Sequence, residues 1–385
     1  MTIIGVDDTD SRTRGMCTTY LATRLAESLA VEGASVRRKL LIRLNPAVEH
    51  KTRGNAALAI HTDADPDDAL ALAAAELEPL AAVDDPRTSP GVVVAPDDPD
   101  DVPAAVRAFS RRAVREFLAP ETAVDLAERA GYRHRGWSGG RGRIGALAAV
   151  GAWATNEEWT YERIVYREFD RCGTPRRVDE ASVFDAAAAG YPAVWDTVDR
   201  TAGETVCVPN APGPILYGIR GDDPDAVRAV AERIRGEHAA RAATFRTNQG
   251  TDAHLRAGTV GDLRDGRAYR IDGTVASAPE TRRGGHVFFE LRDRSEAGAR
   301  VDCAAFEPTK RFRKRVRALR AGDDLTVCGE VGDGTVKLEQ LAVRSLWRTA
   351  PVTPVCPDCG RTTESAGSDQ GYRRRACGTA AVYRT

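Results

Sequence analysis

The sequence predicts a multidomain α+β protein: an α/β unit, a second α+β unit, a small closed β-barrel of the oligonucleotide-binding (OB-fold) type, and a C-terminal zinc-ribbon-like knuckle. Three observations carry this. At 385 residues the chain is about twice the usual size of a single domain. After Thr247 its texture changes from long helical periodicities to short alternating segments separated by turn residues, the pattern of a small barrel. Its eight cysteines are too few and too scattered for a disulfide framework, and three of them fall in the last 30 residues, which raises the question of a metal knuckle.

Residues 2–6 (TIIGV) read as a buried strand because they are apolar and partly β-branched. A helix from Thr18 to Ala30 follows, with Leu21, Leu25 and Leu29 at helical spacing. Strands at 36–44, 55–62 and 91–95 and helices near 67–78 and 103–118 complete an α/β pattern, and the first unit is ended near Pro120. In residues 121–246 the clearest elements are helices near 122–130, 143–153 and 224–240 and strands at 161–168 and 215–221. Residues 247–348 supply five short strands, at 267–277, 286–293, 300–307, 324–332 and 335–343, with a basic helical stretch between the third and fourth. Residues 349–385 form the knuckle.

Net charge is -1, which alone specifies no partner, but its distribution is uneven. From Asp63 to Asp101 there are twelve acids and one base, Arg87, whereas Lys310 to Arg320 holds seven bases and no acid. The second block reads either as a phosphate-binding face or as a solvated helix surface. Only five of the 55 basic residues are lysine, a compositional bias that keeps the arginine count from being evidence for nucleic-acid binding. No stretch approaches the roughly 20 apolar residues of a membrane span, and the N-terminus has neither a basic nor an apolar leader segment. A cytoplasmic protein with no membrane partner is expected.

The acidic run Asp7-Asp8-Thr9-Asp10 lies at the carboxyl end of the first strand, where open α/β sheets bind ligands. Oxygen donors there suit magnesium beside substrate phosphates; a helix-capping turn would use the same residue types. Thr18, at the start of the next helix, would face the same ligand or serve as a plain cap. Lys51 and Arg53, two apart on a loop, can clamp phosphoryl oxygens, whereas a surface hairpin needs only Gly54 and Asn55. The glycine-rich stretch Gly136 to Gly145 brings backbone N–H groups towards a phosphate or acts as a linker. In the barrel, Lys310, Arg311, Phe312, Arg313 and Lys314 mix cations with a stacking surface suited to RNA, whereas alternating phenylalanines such as Phe288, Phe289, Phe306 and Phe312 more often fill a barrel core. Cys356, Cys359 and Cys377 resemble the thiolates of a zinc ribbon, but the position that would complete the second Cys-x-x-Cys is Arg374. Three thiolates point either to zinc with water or a distant fourth ligand, or to weak, easily chelated or absent zinc.

Taken together, GVDDTDSRTRGMCTTYLA, RLNPAVEHKTRGNAAL, GRGRIGALAAVGA, PGPILYGIRG and FRTNQGTDAHL resemble, in order and over nearly the whole chain, the archaeal tRNA-isoleucine 2-agmatinylcytidine synthetase family. The resemblance implies a kinase-like ATP-binding domain at 1–120, a ferredoxin-like domain at 121–246, an OB-fold tRNA-binding domain at 247–348 and a zinc ribbon at 349–385. It implies an ATP-dependent ligase that attaches agmatine to carbon 2 of the wobble cytidine of an isoleucine tRNA, so that the anticodon reads AUA. ATP, split to AMP, would phosphorylate the base carbonyl before the amine displaces phosphate. By the motif match, Asp7, Asp8 and Asp10 would hold magnesium and ATP, and Thr18 would be a self-phosphorylated hydroxyl. Agmatine is a dication that needs carboxylates, for which Asp196 is one candidate. A non-catalytic OB-type RNA-binding protein would leave Asp7 to Thr19 without purpose. A small-molecule kinase would need neither barrel nor basic stretch.

Overall fold

The computed structural model describes residues 1–13, 15–51, 54–294, 298–348, 352–367 and 370–381. The first unit runs β1 (Thr2–Asp7), α1 (Thr18–Val31), β2 (Val36–Arg43), β3 (Ala56–Thr62), α2 (Pro66–Leu77), β4 (Gly91–Ala95) and α3 (Ala104–Ala113), followed by α4 (Pro120–Arg129), β5 (Arg133–Gly136) and α5 (Arg143–Val150). Alternation places Ile4, Val6, Leu41, Leu58 and Ile60 on one sheet face against α1 and α2. Ile3, Leu40, Ile42, Ala57 and Ala59 lie on the other, against α3, α4 and α5. The expected α/β pattern holds, but β1 is antiparallel to both neighbours, β3 and β4, so this is not the parallel sheet for which the carboxyl-end rule is usually invoked. Beyond residue 120, β5 still pairs with β4 and α5 still packs in the first unit's core.

The second unit is β6 (Thr160–Arg167), α6 (Glu180–Gly190), β7 (Val194–Trp195), the small hairpin β8 (Val198–Asp199) and β9 (Glu204–Thr205), β10 (Ile215–Gly221), α7 (Pro224–Arg233) and β11 (Ala239–Thr247). Its main strands lie in the order β11-β6-β10-β7, with α6 and α7 over one face; this is the split βαβ arrangement of a ferredoxin-like fold. One parallel pairing, β11 with β2, joins both units into a nine-stranded sheet, and Tyr166 and Phe245 share a core with Leu21 and Leu25 of α1. The helix expected over 224–240 stops at Arg233 and the alanine-rich run 239–247 is a strand. Alanine favours a helix locally, but Gly236 separates the run from α7, and pairing with β6 and β2 decides the outcome by tertiary context.

After β12 (Leu255–Gly258), the barrel comprises β13 (Ala268–Val275), β14 (Glu280–Thr281), β15 (Val287–Arg292), β16 (Arg300–Ala305), α8 (Arg311–Arg317), β17 (Asp324–Gly332) and β18 (Thr335–Ser345). Pairing of β13 with both β17 and β15 closes five strands around Ile271, Phe289, Leu291, Val327 and Val336. The knuckle adds β19 (Glu364–Ser365), β20 (Tyr372–Arg374) and β21 (Thr379–Ala381) as one small sheet. No helix among the described residues is long and apolar enough to cross a membrane.

Candidate functional site

A cavity of about 670 Å3 opens at the carboxyl end of β1, lined among others by Asp7, Asp8, Asp10, Thr18, Lys51, Arg141 and Glu162. The acids are held by the chain around them. Asp7 accepts from the Asp8 backbone N–H (2.7 Å). Asp8, at φ 60°, accepts from the Ser89 N–H (3.1 Å) and lies 3.4 Å from an Arg141 guanidinium nitrogen. The glycine-rich stretch is part of this site. A Cβ at Gly145 would stand 2.0 Å from an Asp7 carboxylate oxygen, and one at Gly5 would stand 2.0 Å from the Ala146 carbonyl oxygen. Only glycines there let the start of α5 close on the acids.

Burial is the largest influence on both acids. It pushes Asp7 well above the usual carboxylate range, reinforced by the charge of Asp8. Asp8 rises to about 6 despite the opposing Arg141 charge and Ser89 hydrogen bond. Two desolvated carboxylates with one arginine between them are short of positive charge, and oxygen donors with that deficit suit a magnesium ion.

Thr18 is the first residue of α1, after an extended Cys17. Its buried hydroxyl oxygen accepts from the Thr9 hydroxyl (3.0 Å), so it is turned to the acidic loop rather than acting as a cap. Lys51 lines the cavity, donating from Nζ to the Pro46 carbonyl, and burial lowers its pKa. Arg53 lies outside the described residues. Asp196 is exposed and is not among the residues lining the cavity. The carboxylate from the second unit that does line it is Glu162, 7% exposed. Its Oε2 has no hydrogen-bond partner among the described residues, although Arg220 Nε lies 3.4 Å away. Glu162 carries no signal in the sequence, because its strand reads as an ordinary alternating one. Arg141 was within reach, as the first cation in the loop after Gly139-Gly140.

The barrel is docked at the rim. Asn45 Nδ2 donates to the Gly266 carbonyl (2.9 Å), Arg256 pairs with Glu116 (2.7 Å), and a Cβ at Gly266 would collide with Phe117, a lining residue. Arg43 and the buried His254 converge on Glu339 of β18 at 3.4 and 3.1 Å. The basic helix α8 is less free than its composition suggests. Lys310 pairs with Glu204 (2.6 Å), Arg311 with Asp199, and Arg313 with Glu307 (2.9 Å). Phe312 is half-buried against the barrel core. Lys314 forms no ion pair among the described residues.

In the knuckle, the sulfurs of Cys356, Cys359 and Cys377 lie within 4.8 Å of one another. Three thiolates at that spacing fit a single zinc ion.

Residues 3–64 match the family description "TiaS TCKD domain", residues 140–254 "TiaS FLD domain" and residues 353–385 "TiaS C-terminal zinc ribbon domain". The isoleucine-tRNA 2-agmatinylcytidine synthetase TiaS of Haloquadratum walsbyi is 57% identical, over 98% of this chain and 90% of its own length. The chain belongs to the TiaS family. The enzyme of the same name from Methanosarcina mazei is 45% identical, over 98% of this chain and 89% of its own. A solved complex of TiaS with isoleucine tRNA and ATP superposes with a TM-score of 0.86 at 38% identity, covering 99% of this chain and 89% of that one. A complex of TiaS with isoleucine tRNA, AMPCPP and agmatine gives 0.83 at 37%, covering 96% and 88%.

Proposed function

We propose that this TiaS-family chain joins agmatine to carbon 2 of the wobble cytidine of an isoleucine tRNA at the expense of ATP, allowing AUA to be read, and that it does so in the cytoplasm. The observation that carries this reading is the convergence of Asp7, Asp8, Thr18 and Arg141 from the first unit with Glu162 from the second on one cavity. The two TiaS complexes, one with tRNA and ATP and one with tRNA, an ATP analogue and agmatine, supply the ligand classes.

The pyrimidine carbonyl oxygen is a poor leaving group. Transfer of a phosphoryl group from ATP to it breaks the phosphoanhydride bond to the remaining nucleotide, which departs, and converts the carbonyl oxygen to a phosphate ester; the agmatine amine then forms the C–N bond at carbon 2, the C–O bond breaks, phosphate departs and an amine proton is lost. Asp7, Asp8 and Asp10 would hold magnesium, which when bound neutralises carboxylate and phosphate oxygens. Arg141 leaves Asp8 for phosphate oxygens, and Lys51 clamps them from the cavity wall, with Arg53 proposed as a second clamp from its sequence position alone. Thr18, whose hydroxyl oxygen accepts from Thr9 on the cavity wall, is the threonine modified: it takes a phosphoryl group from ATP, gives up its proton and releases the remaining nucleotide. Glu162 receives a cationic end of agmatine, a role for which it replaces Asp196. Extracting the wobble base from its stack costs a few kcal/mol, which a separate tRNA-holding module offsets.

We assign ATP chemistry to residues 1–120 acting with α5, the agmatine side to 121–246, and tRNA retention to the barrel at 247–348 and the knuckle at 349–385. ATP consumption measured with each component omitted tests the reading. Consumption that requires isoleucine tRNA separates a tRNA ligase from a small-molecule kinase; no consumption with all components present would leave only an RNA-binding protein.

A further inference from the structure

The ribbon presents three thiols where a closed structural zinc site uses four ligands. At position 374, where Cys-x-x-Cys spacing ending at Cys377 calls for a donor, stands Arg374, whose Nε is buried and without a hydrogen-bond partner among the described residues. No histidine follows His286. The remaining cysteines belong to other units: Cys303 and Cys328 are buried in the barrel, Cys207 in the second unit, and Cys17 and Cys172 lie outside the ribbon. Among the described residues, Thr379 Oγ1 donates to the Asp358 carboxylate, so these two oxygens are engaged with each other. Cys356 is buried, whereas Cys359 and Cys377 are exposed, so the thiol cluster has one closed side and one side open to solvent.

We infer that the ribbon binds zinc through Cys356, Cys359 and Cys377 alone, with its fourth position open to an exchangeable ligand from solvent. With Arg374 on β20 where a fourth thiolate would stand, three thiolates and one zinc carry a charge of minus one. An open zinc accepts a thiol or an imidazole as fourth ligand, whereas a closed four-thiolate ribbon excludes both. This rests on the family match of the ribbon and is independent of the ligase reading.

The test uses the full-length chain loaded with cobalt(II) in place of zinc, whose ligand-field bands report the donor set. Adding 2-mercaptoethanol or imidazole should shift those bands in the wild-type protein and leave them unchanged in Arg374→Cys. In the zinc-loaded protein, alkylation followed by mass spectrometry should show Cys356, Cys359 and Cys377 protected together and released together by a chelator. Cys377→Ser should abolish cobalt uptake or leave a two-thiolate spectrum, which keeps the inference testable where Arg374→Cys fails to fold. Wild-type bands insensitive to added thiol would mean a fourth protein ligand and overturn the inference. So would loss of the metal in Asp358→Asn, or no metal uptake at all.

Discussion

Asp8 is caught between two demands. Its backbone adopts a positive φ and its carboxylate is drawn from water, so burial favours the protonated acid, while Arg141 and the Ser89 N–H favour the anion. A divalent cation bound at this carboxylate must displace the proton. Below pH 6, magnesium affinity should therefore fall by about tenfold per pH unit for each proton displaced. The metal-free protein should behave oppositely. Because the folded pKa of Asp8, about 6, is above the ordinary value of 3.8, its contribution to stability is complete below the unfolded value and is lost as pH rises through 6. Calorimetric titration of magnesium with ATP between pH 5 and 8 measures the first effect, and a flat profile would remove Asp8 from the metal site. Asp8→Asn should abolish ATP cleavage while leaving tRNA affinity within a few-fold of wild type. Glu162→Gln keeps the shape and removes the charge; losing one charge-assisted hydrogen bond, worth about 1.5–3 kcal/mol, should raise the KM for agmatine about 10- to 100-fold and leave that for ATP unchanged. An unchanged agmatine KM would return the search to other carboxylates.

At the scale of elements, β6 carries the two kinds of burial that hold the second unit to its task. Glu162 faces the cavity; Arg167, at the other end of the strand, is fully buried, paired with Glu237 at 2.6 Å and donating to the carbonyls of Thr174 and Pro175. Removing one partner of such a pair leaves an uncompensated buried charge, so Glu237→Gln should destabilise the fold by about 3–5 kcal/mol, readable as a fall in the denaturant midpoint. The basic helix α8 illustrates the opposite case. Its seven-cation neighbourhood suggests a broad phosphate-binding face, yet Lys310 and Arg311 are spent on carboxylates of the β8–β9 hairpin and Arg313 on Glu307. Cations already paired within the protein release less counterion on meeting RNA. Replacing Arg311, Arg313 and Lys314 together should lower the salt slope of tRNA binding by about one unit rather than three. A drop of about three units would mean that the ion pairs open on binding.

Across the whole molecule, what could be read from the chain follows from how local each signal is. The five barrel strands alternate in place, and β17 runs from Asp324 to Gly332 as its sequence pattern indicates. The acidic loop and the cysteines announce themselves by residue type. Long-range pairing was not legible. The helical propensity of 239–247 was overruled by the sheet that joins the two units, and Glu162 becomes a site residue only because that sheet brings β6 beside α1. Arg141 acquires a role from Gly5 and Gly145, whose missing side chains let α5 close on Asp7. Those contacts assemble one cavity from two units, with the barrel against its rim, where agmatine and a tRNA base are to be joined. Mass spectrometry of nucleosides from isoleucine tRNA incubated with the protein, ATP and agmatine tests this. A cytidine heavier by agmatine less water should form at the wobble position only when all three substrates are present. Cytidine of unchanged mass, with the protein folded and the tRNA bound, would contradict it.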